Sequence, residues 1–373
     1  MQTIAEGWLA LQLSNSAFIV GVAAAASSFP ILVLSLYGGV VADRNDKLKV
    51  VKIAQSLLLV QASVFFWMVI THRLTIEWLI GLALVNGIIS SFEIPARQSF
   101  IVELVGREDL VDAIALNSAG FNIARIVGPS IAAVVIGTLG LAWCFGLNAL
   151  SYFAVLAGLF MIRVPAWERN ENAGSSLEGL AEGFRYIRDN PLVFVLIRIV
   201  AVYAIFGLPF LAMMPVVARN VVHTGATGYG LLLASVGVGA LFGAMTQAWL
   251  GQRYSRGRLY MRSSFAFAIL LIIFSFMTVK LAAAGVLILV GFALMLNGSL
   301  ANSTLQSIAP DELRGRLMAV YVFVAVGFAP IGAFIAGAVA KALGVQWAIG
   351  GGAAVMLAYT AWSYWKNPAL KTV

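Results

Sequence analysis

Long uncharged runs rich in Ala, Leu, Gly and Val recur along the whole of this 373-residue chain, and they leave it very few folds. Inside hydrocarbon every backbone N–H and C=O must bond within the chain, so only helices and closed barrels span a bilayer. Barrel strands are short segments that alternate polar and apolar residues. These runs are continuous and reach about twenty residues, the length a helix needs to cross. Composition agrees: 61% of the residues are hydrophobic, 11% are charged, and mean hydropathy is +0.94, whereas a soluble domain carries roughly a quarter charged residues. The sequence describes an all-α polytopic membrane protein.

Hydropathy punctuated by loop signals predicts eleven full transmembrane helices, at 17–42, 50–71, 77–104, 113–138, 141–163, 191–218, 227–252, 260–281, 284–306, 316–341 and 345–365. The opening stretch, MQTIAEGWLALQLSNS, has an apolar part too short for about 30 Å of hydrocarbon at 1.5 Å per residue. It reads as half of a twelfth helix with a shortened start, and it lacks the basic start and small-residue cleavage site of a signal peptide. The longest polar segment, 164–190, contains Gly-Ser and then an amphipathic stretch from Leu177 to Ile187. It divides the chain into an N-terminal bundle at 1–163 with a partial first helix, a linker at 164–190, and a C-terminal bundle at 191–373.

Charge fixes the expected orientation. Eighteen of the 24 basic residues fall on the side of the loop GGVVADRNDKLKV at 38–50, while only Arg73, Arg219, Lys280 and Lys341 fall on the other, and Arg125 and Arg198 lie within spans. By the positive-inside rule that loop and the C-terminus are cytoplasmic, in a multi-pass protein of the cytoplasmic (inner) membrane. The net charge of +8 is scattered over short loops, so nucleic acid is not an expected partner.

The two halves repeat one another. Residues 104–136 and 308–340 each carry an acidic pair followed by Leu (Glu108-Asp109-Leu110; Asp311-Glu312-Leu313) in a tight loop, then a Pro about twenty residues on (Pro129; Pro330). Parallel six-span repeats mark two-bundle transporters that rock around a central site. The stretch GGVVADRNDKLK resembles the signature loop of the major facilitator superfamily. IPARQSFIVELVGREDLVDAIALNS, FNIARIVGPS and PDELRGRLMAVY are similar to the branch of secretion and drug efflux carriers that includes the enterobactin exporter. The C-terminal counterpart, WLGQRYSRGRLYMR, keeps the basic residues but has Gly251 and Gln252 where an acid is expected.

Within the signature loop, Gly39 leaves room for a neighbouring helix, and Asp43 ends its helix where the dipole disfavours a carboxylate. The resemblance implies that Asp43 pairs with an arginine of the fourth helix and faces the start of the eleventh. The matching positions are Arg97 and the turn near Gly315. Such contacts hold the halves together on the cytoplasmic side and break when they rock. Arg44, Lys47 and Lys49 either join this gate or serve only as topogenic charge.

Ionisable residues inside spans are functional candidates because an unpaired charge there is costly. Arg125 lies about twelve residues into its helix, roughly 18 Å at helical rise, too deep to snorkel. Glu6 sits in the outer half of the partial first helix, where it can carry a proton or attract a cation. Glu93 and Arg97 are four apart on one helix face and can pair with each other. Arg198 lies within two turns of the cytoplasmic end and is expected to snorkel. Gly128-Pro129 resembles the end of the exporters' antiporter motif; its physical content is a weakened helix that can bend for packing or for coupling.

One cysteine, Cys144, and two histidines in loops, His72 and His223, offer no metal set, and no HExxH, GxSxG or phosphate-cradling GxxxxGK[ST] appears. Neither an enzyme nor an ATP-driven pump is expected, and no cofactor or metal. What remains is a secondary active transporter, on the resemblance a proton-coupled exporter of small amphipathic molecules such as a siderophore, drug or metabolite, acting as a monomer in the lipid bilayer. A nutrient importer and a non-transporting receptor on the same fold are the alternatives. A wide apolar cavity with a single charge would favour export, and a tight polar one import.

Overall fold

A computed structural model describes residues 1–105, 110–162, 176–250, 255–367 and Leu370; within its helices the side chains of Asp43, Arg125, Asp311 and Glu312 are among those left outside the description. Every described element is helical. The first six are α1 (Gln2–Ser14), α2 (Ala17–Arg44), α3 (Lys47–Ile70), α4 (Ile76–Val105), α5 (Leu110–Thr138) and α6 (Ala142–Met161). An amphipathic α7 (Ser176–Asp189) follows, then α8 (Pro191–Val202), a π turn (Tyr203–Gly207) and α9 (Pro209–Asn220). The chain ends with α10 (Ala226–Leu250), α11 (Arg256–Ser275), α12 (Lys280–Ile308), α13 (Asp311–Gly327), α14 (Ala329–Leu343) and α15 (Val345–Lys366).

Nine stretches among the described residues are long and apolar enough to cross a membrane, with α8 to α9 and α13 to α14 each forming one. With α5 (29 residues) and α15 (22 residues) they fill the eleven expected places. The short α1, 13 residues, precedes them. Polar punctuation sets the boundaries. Asp46 caps α3 by accepting the Lys49 N–H at 3.2 Å, and Asn190 caps α8 by accepting the Val193 N–H at 3.3 Å, ahead of Pro191 in the first turn. Where the sequence shows one unbroken seventh span, the π turn interrupts it before Pro209, with the Leu208 N–H reaching back to the Tyr203 carbonyl at 3.0 Å. The eleventh span breaks at Phe328, just before Pro330, because proline lacks the donor the helix needs. Its counterpart Pro129 sits inside a continuous α5. The expected boundary at 163 and the start of the linker lie outside the described residues.

Alternating spans place one set of helix ends with the α2–α3 turn, which we term the basic face; the other end is the far face. Within the first half, α2 packs on α4 and α3 on α6; within the second, α10 packs on α12 and α11 on α15. The α2–α4 and α10–α12 pairs use the same device. Gly38 and Gly87 lie against Ser91 and Ser27 backbone in one, and Gly239 and Gly291 lie against Ile288 and Val236 backbone in the other. The close approach expected near Gly39 is carried by Gly38. Small residues let membrane helices approach to backbone contact, which replaces the hydrophobic drive that lipid removes.

The halves meet at the far face. A Cβ on Gly21 of α2 would lie 2.6 Å from the Ala333 carbonyl oxygen and 2.9 Å from the Gly337 Cα of α14. Gly137 near the end of α5 faces Thr227 at the start of α10. The buried core follows this geometry. At the far face one apolar cluster draws on both halves, from Trp8, Phe65 and Phe145 to Phe210, Phe267 and Met356. Toward the basic face the clusters separate, one around Leu48, Val51 and Phe100 in the first half and another around Leu196, Tyr260 and Leu317 in the second. Gly337→Val is therefore expected to force α2 and α14 apart at a cost of about 1–3 kcal/mol, read as a lower melting temperature of the purified protein. The same substitution at Gly285, where a Cβ meets nothing within 4 Å, should leave melting nearly unchanged.

Candidate functional site

The junction of the two halves, packed at the far face and with separate buried clusters toward the basic face, is the candidate transport path. Its seal is built from named contacts. Trp8 stacks on Tyr229 with centroids 5.6 Å apart, Phe18 meets Phe334 edge-on at 5.4 Å, and Lys341 lies over the Phe18 ring at 5.6 Å. Arg219 Nη1 donates to the Leu11 carbonyl at 3.2 Å, a second bond to an oxygen that also accepts the Asn15 N–H at 2.9 Å at the end of α1. All of these contacts join the halves at the far face. Leu32 of α2 reaches Gly327 at the foot of α13, near the middle of the span.

Helical register extends this line. Gly21, Leu32 and Asp43 are spaced by eleven residues, close to three turns, so they share one face of α2. On α13, Arg316 stands eleven residues before Gly327 and shares its face likewise. The Asp43 side chain lies outside the described residues. Arg316 forms an ion pair with Glu182 of α7, whose Gly183 fits so closely that a Cβ would lie 2.8 Å from the Arg316 carbonyl oxygen. Phe184 meets Phe323 edge-on at 6.3 Å, so the linker helix is docked on α13. Neighbouring Gly315 is exposed, and nothing lies within 4 Å of a Cβ built on it.

The other gate candidates separate into two groups. Lys47 forms an ion pair with Glu103 in the last turn of α4, while Arg44 and Lys49 point to solvent on the basic face. Arg97 does not stand free for Asp43: its Nε donates to Glu93 Oε1 at 2.8 Å. Gln55 of α3 donates to the same carboxylate oxygen at 3.0 Å, and the Gln55 Oε1 is buried without a partner. A second polar cluster lies deeper. Gln2 donates to Glu6 at 2.8 Å and to Gln61 at 3.1 Å, and accepts from Asn148 at 2.6 Å. Glu6 thus points into the packing toward α3 and α6. The Arg125 side chain lies outside the described residues. Gly128 and Pro129 are half-buried, with open space beside Gly128.

Gln2, Gln55 and Gln61 escaped the reading of the sequence. The available signal was two glutamines six apart in an otherwise apolar α3, facing a glutamate on the next span. The second half holds no buried carboxylate among the described residues; its polar interior is neutral, with Asn297 bonded to Ser264 and the Tyr321 hydroxyl donating to the Gly298 carbonyl at 3.2 Å. The described residues contain no cluster of His, Cys, Asp or Glu that could hold a metal.

Two helical halves of membrane-spanning length that share one buried cluster at the far face have the architecture of a membrane transporter rather than an enzyme. The chain belongs to the transmembrane secretion effector family of the major facilitator superfamily, whose family model matches residues 1–371. It is 26% identical over 360 residues to the multidrug efflux pump Tap of Mycolicibacterium fortuitum, covering 92% of this chain and 86% of that protein. Against the enterobactin exporter EntS of Citrobacter koseri it is 26% identical over 315 residues, covering 82% and 73%. Among solved structures it resembles a bacterial homologue of the human lysosomal transporter Spinster in an inward-facing, unoccupied conformation (TM-score 0.75, 12% identity, covering 99% and 94%). It also resembles a D-xylose-proton symporter (TM-score 0.72, 14% identity, covering 96% and 92%). At those identities the likeness concerns the fold. Gly183→Leu should undock α7 from α13, seen as faster proteolysis within α7 in membranes where insertion of the protein is unchanged; a cleavage rate equal to wild type would show that α7 is held by something else.

Proposed function

We propose that this transporter is a proton-coupled exporter of small amphipathic molecules, with the basic face and C-terminus in the cytoplasm, acting as a monomer in the inner membrane. The asymmetry of basic residues supports the orientation. In that orientation the packed far face is the outer one, which supports an inward-facing state, the state in which an exporter loads cargo. The relatives' activities, multidrug efflux and enterobactin export, support the direction and the class of cargo.

The observation that carries the coupling is the buried Glu93 with its two donors and the orphan Gln55 oxygen. With the basic face inward-facing, Arg97 is paired with Glu93, the proton-free stage of the proposed cycle. Loading of cargo closes the basic face and brings Arg97 and Arg316 to Asp43, at the end of the Gly21–Leu32 register. Arg316 must leave Glu182 to do so. Glu93, now buried without a cation, takes up a proton from the far face, since an isolated buried charge neutralises rather than persists. The protonated acid donates to Gln55 Oε1 once that amide turns over, which satisfies the orphan acceptor. Return of Arg97 expels the proton inward, and one proton enters as one cargo leaves. Glu6, held by an amide, is the second proton candidate, and Arg125 and the kink at Gly128-Pro129 are assigned to cargo and bending.

The test is efflux of a fluorescent dye or a siderophore from de-energised and then re-energised cells. Glu93→Gln is expected to retain dye binding in the purified protein while gradient-driven extrusion falls to background; Asp43→Asn should lose extrusion as well. Gradient-driven extrusion surviving in Glu93→Gln would remove this residue from the coupling path, and cargo accumulating inside would reverse the direction.

A further inference from the structure

Charge is divided unequally between the halves. Residues 191–373 contain twelve Lys and Arg but only two acids, Asp311 and Glu312, for a net +10, whereas residues 1–190 carry twelve basic and fourteen acidic residues, for a net −2. The whole positive excess of the chain therefore lies in its second half. No carboxylate occurs on α8, α11 or α15.

Two of these charges converge on one exposed patch. Arg198 of α8 lies eight residues beyond the Asn190 cap, about 12 Å into the helix. Its guanidinium carbon stands 5.4 Å from the Phe194 ring, 5.6 Å from Tyr359 and 5.9 Å from Trp362, and its side chain is exposed. Lys366 Nζ, at the end of α15, lies 5.1 Å from the same Trp362 ring. Ring faces orient both cations but supply no formal counter-charge. The nearest acid along the chain, Asp189, is bonded to Arg188 at 3.3 Å. α15 packs on α8, α11 and α14 of its own half, so this patch lies on the outer wall of the second half rather than at the junction of the halves.

We propose that the Arg198–Trp362–Lys366 patch binds the headgroup of an anionic phospholipid, its acyl chains lying along the α8–α15 surface. A net-negative headgroup at the basic face provides the counter-charge that no acid among the described residues gives these two cations, and the guanidinium fork suits a phosphate. Trp362 and the neighbouring Trp365, 79% exposed, sit as interfacial aromatics do, at headgroup level. The site is independent of the direction of transport.

Native mass spectrometry of the purified protein with equal amounts of phosphatidylglycerol and phosphatidylethanolamine tests this. The wild type should retain phosphatidylglycerol preferentially, Arg198→Gln and Lys366→Gln should each lower its retention about fivefold, and Lys280→Gln on the far face should not. Should Arg198→Gln fail to fold, Lys366→Gln and Trp362→Leu, at the exposed end of α15, carry the same test. Equal retention of both lipids by the wild type, undiminished retention in the patch variants, or an equal loss in Lys280→Gln would overturn the site.

Discussion

The backbone contact of Gly21 with Gly337 is the constraint on which the rest of the structure turns. Helices in lipid gain nothing by hiding apolar surface from one another, so cohesion between them comes from close packing and polar bonds. Where two glycines face each other the helices approach to backbone distance, and any side chain at that point would occupy space held by the Ala333 carbonyl. The clamp fixes the halves at the far face and, with Trp8 on Tyr229 and Arg219 on Leu11, closes that end to solvent. Closure at one end leaves the other free to open, and the division of the core into separate clusters toward the basic face is the packing consequence.

Polar chemistry is distributed to match. Among the described residues the buried carboxylates, Glu6 and Glu93, lie in the first half, each held by side-chain amides, while the buried polar groups of the second half are hydroxyls and neutral amides. The linker joins this arrangement mechanically, because α7 is packed on α13, the part of the eleventh span nearest the opening face.

Much of this was legible in the sequence. Continuous apolar runs gave the span positions, since helices in lipid have no competing structure to adopt, and the family resemblance in the signature loop was matched by the family model over residues 1–371. The amphipathic stretch from Leu177 to Ile187 fell inside the observed α7. The pairing of Glu93 with Arg97 followed from their spacing of four. What the sequence concealed was rotation and depth. Nothing in a row of letters turns Gln55 toward Glu93, or places Glu182 on a different helix beside Arg316, because such pairs depend on how helices far apart in the chain are turned. The π turn at Tyr203–Gly207 escaped for a related reason: a lone Gly207 and the following Leu208-Pro209 are its signals, and both also occur within membrane helices that are not interrupted.

The central claim is that the two halves move as rigid bodies, opening one face as they close the other. It is tested most directly by distances between spin labels in a protein whose Cys144 is replaced by Ala. One pair would sit on the basic-face ends of α4 and α12, at Gln98 and Gln306, and a second on the far face, at Leu139 and Leu343, all four exposed. When dye is added and the pH is lowered in nanodiscs, the first distance should shorten while the second lengthens in the same fraction of molecules. Two distances that stay fixed, or that change in the same direction, would contradict it.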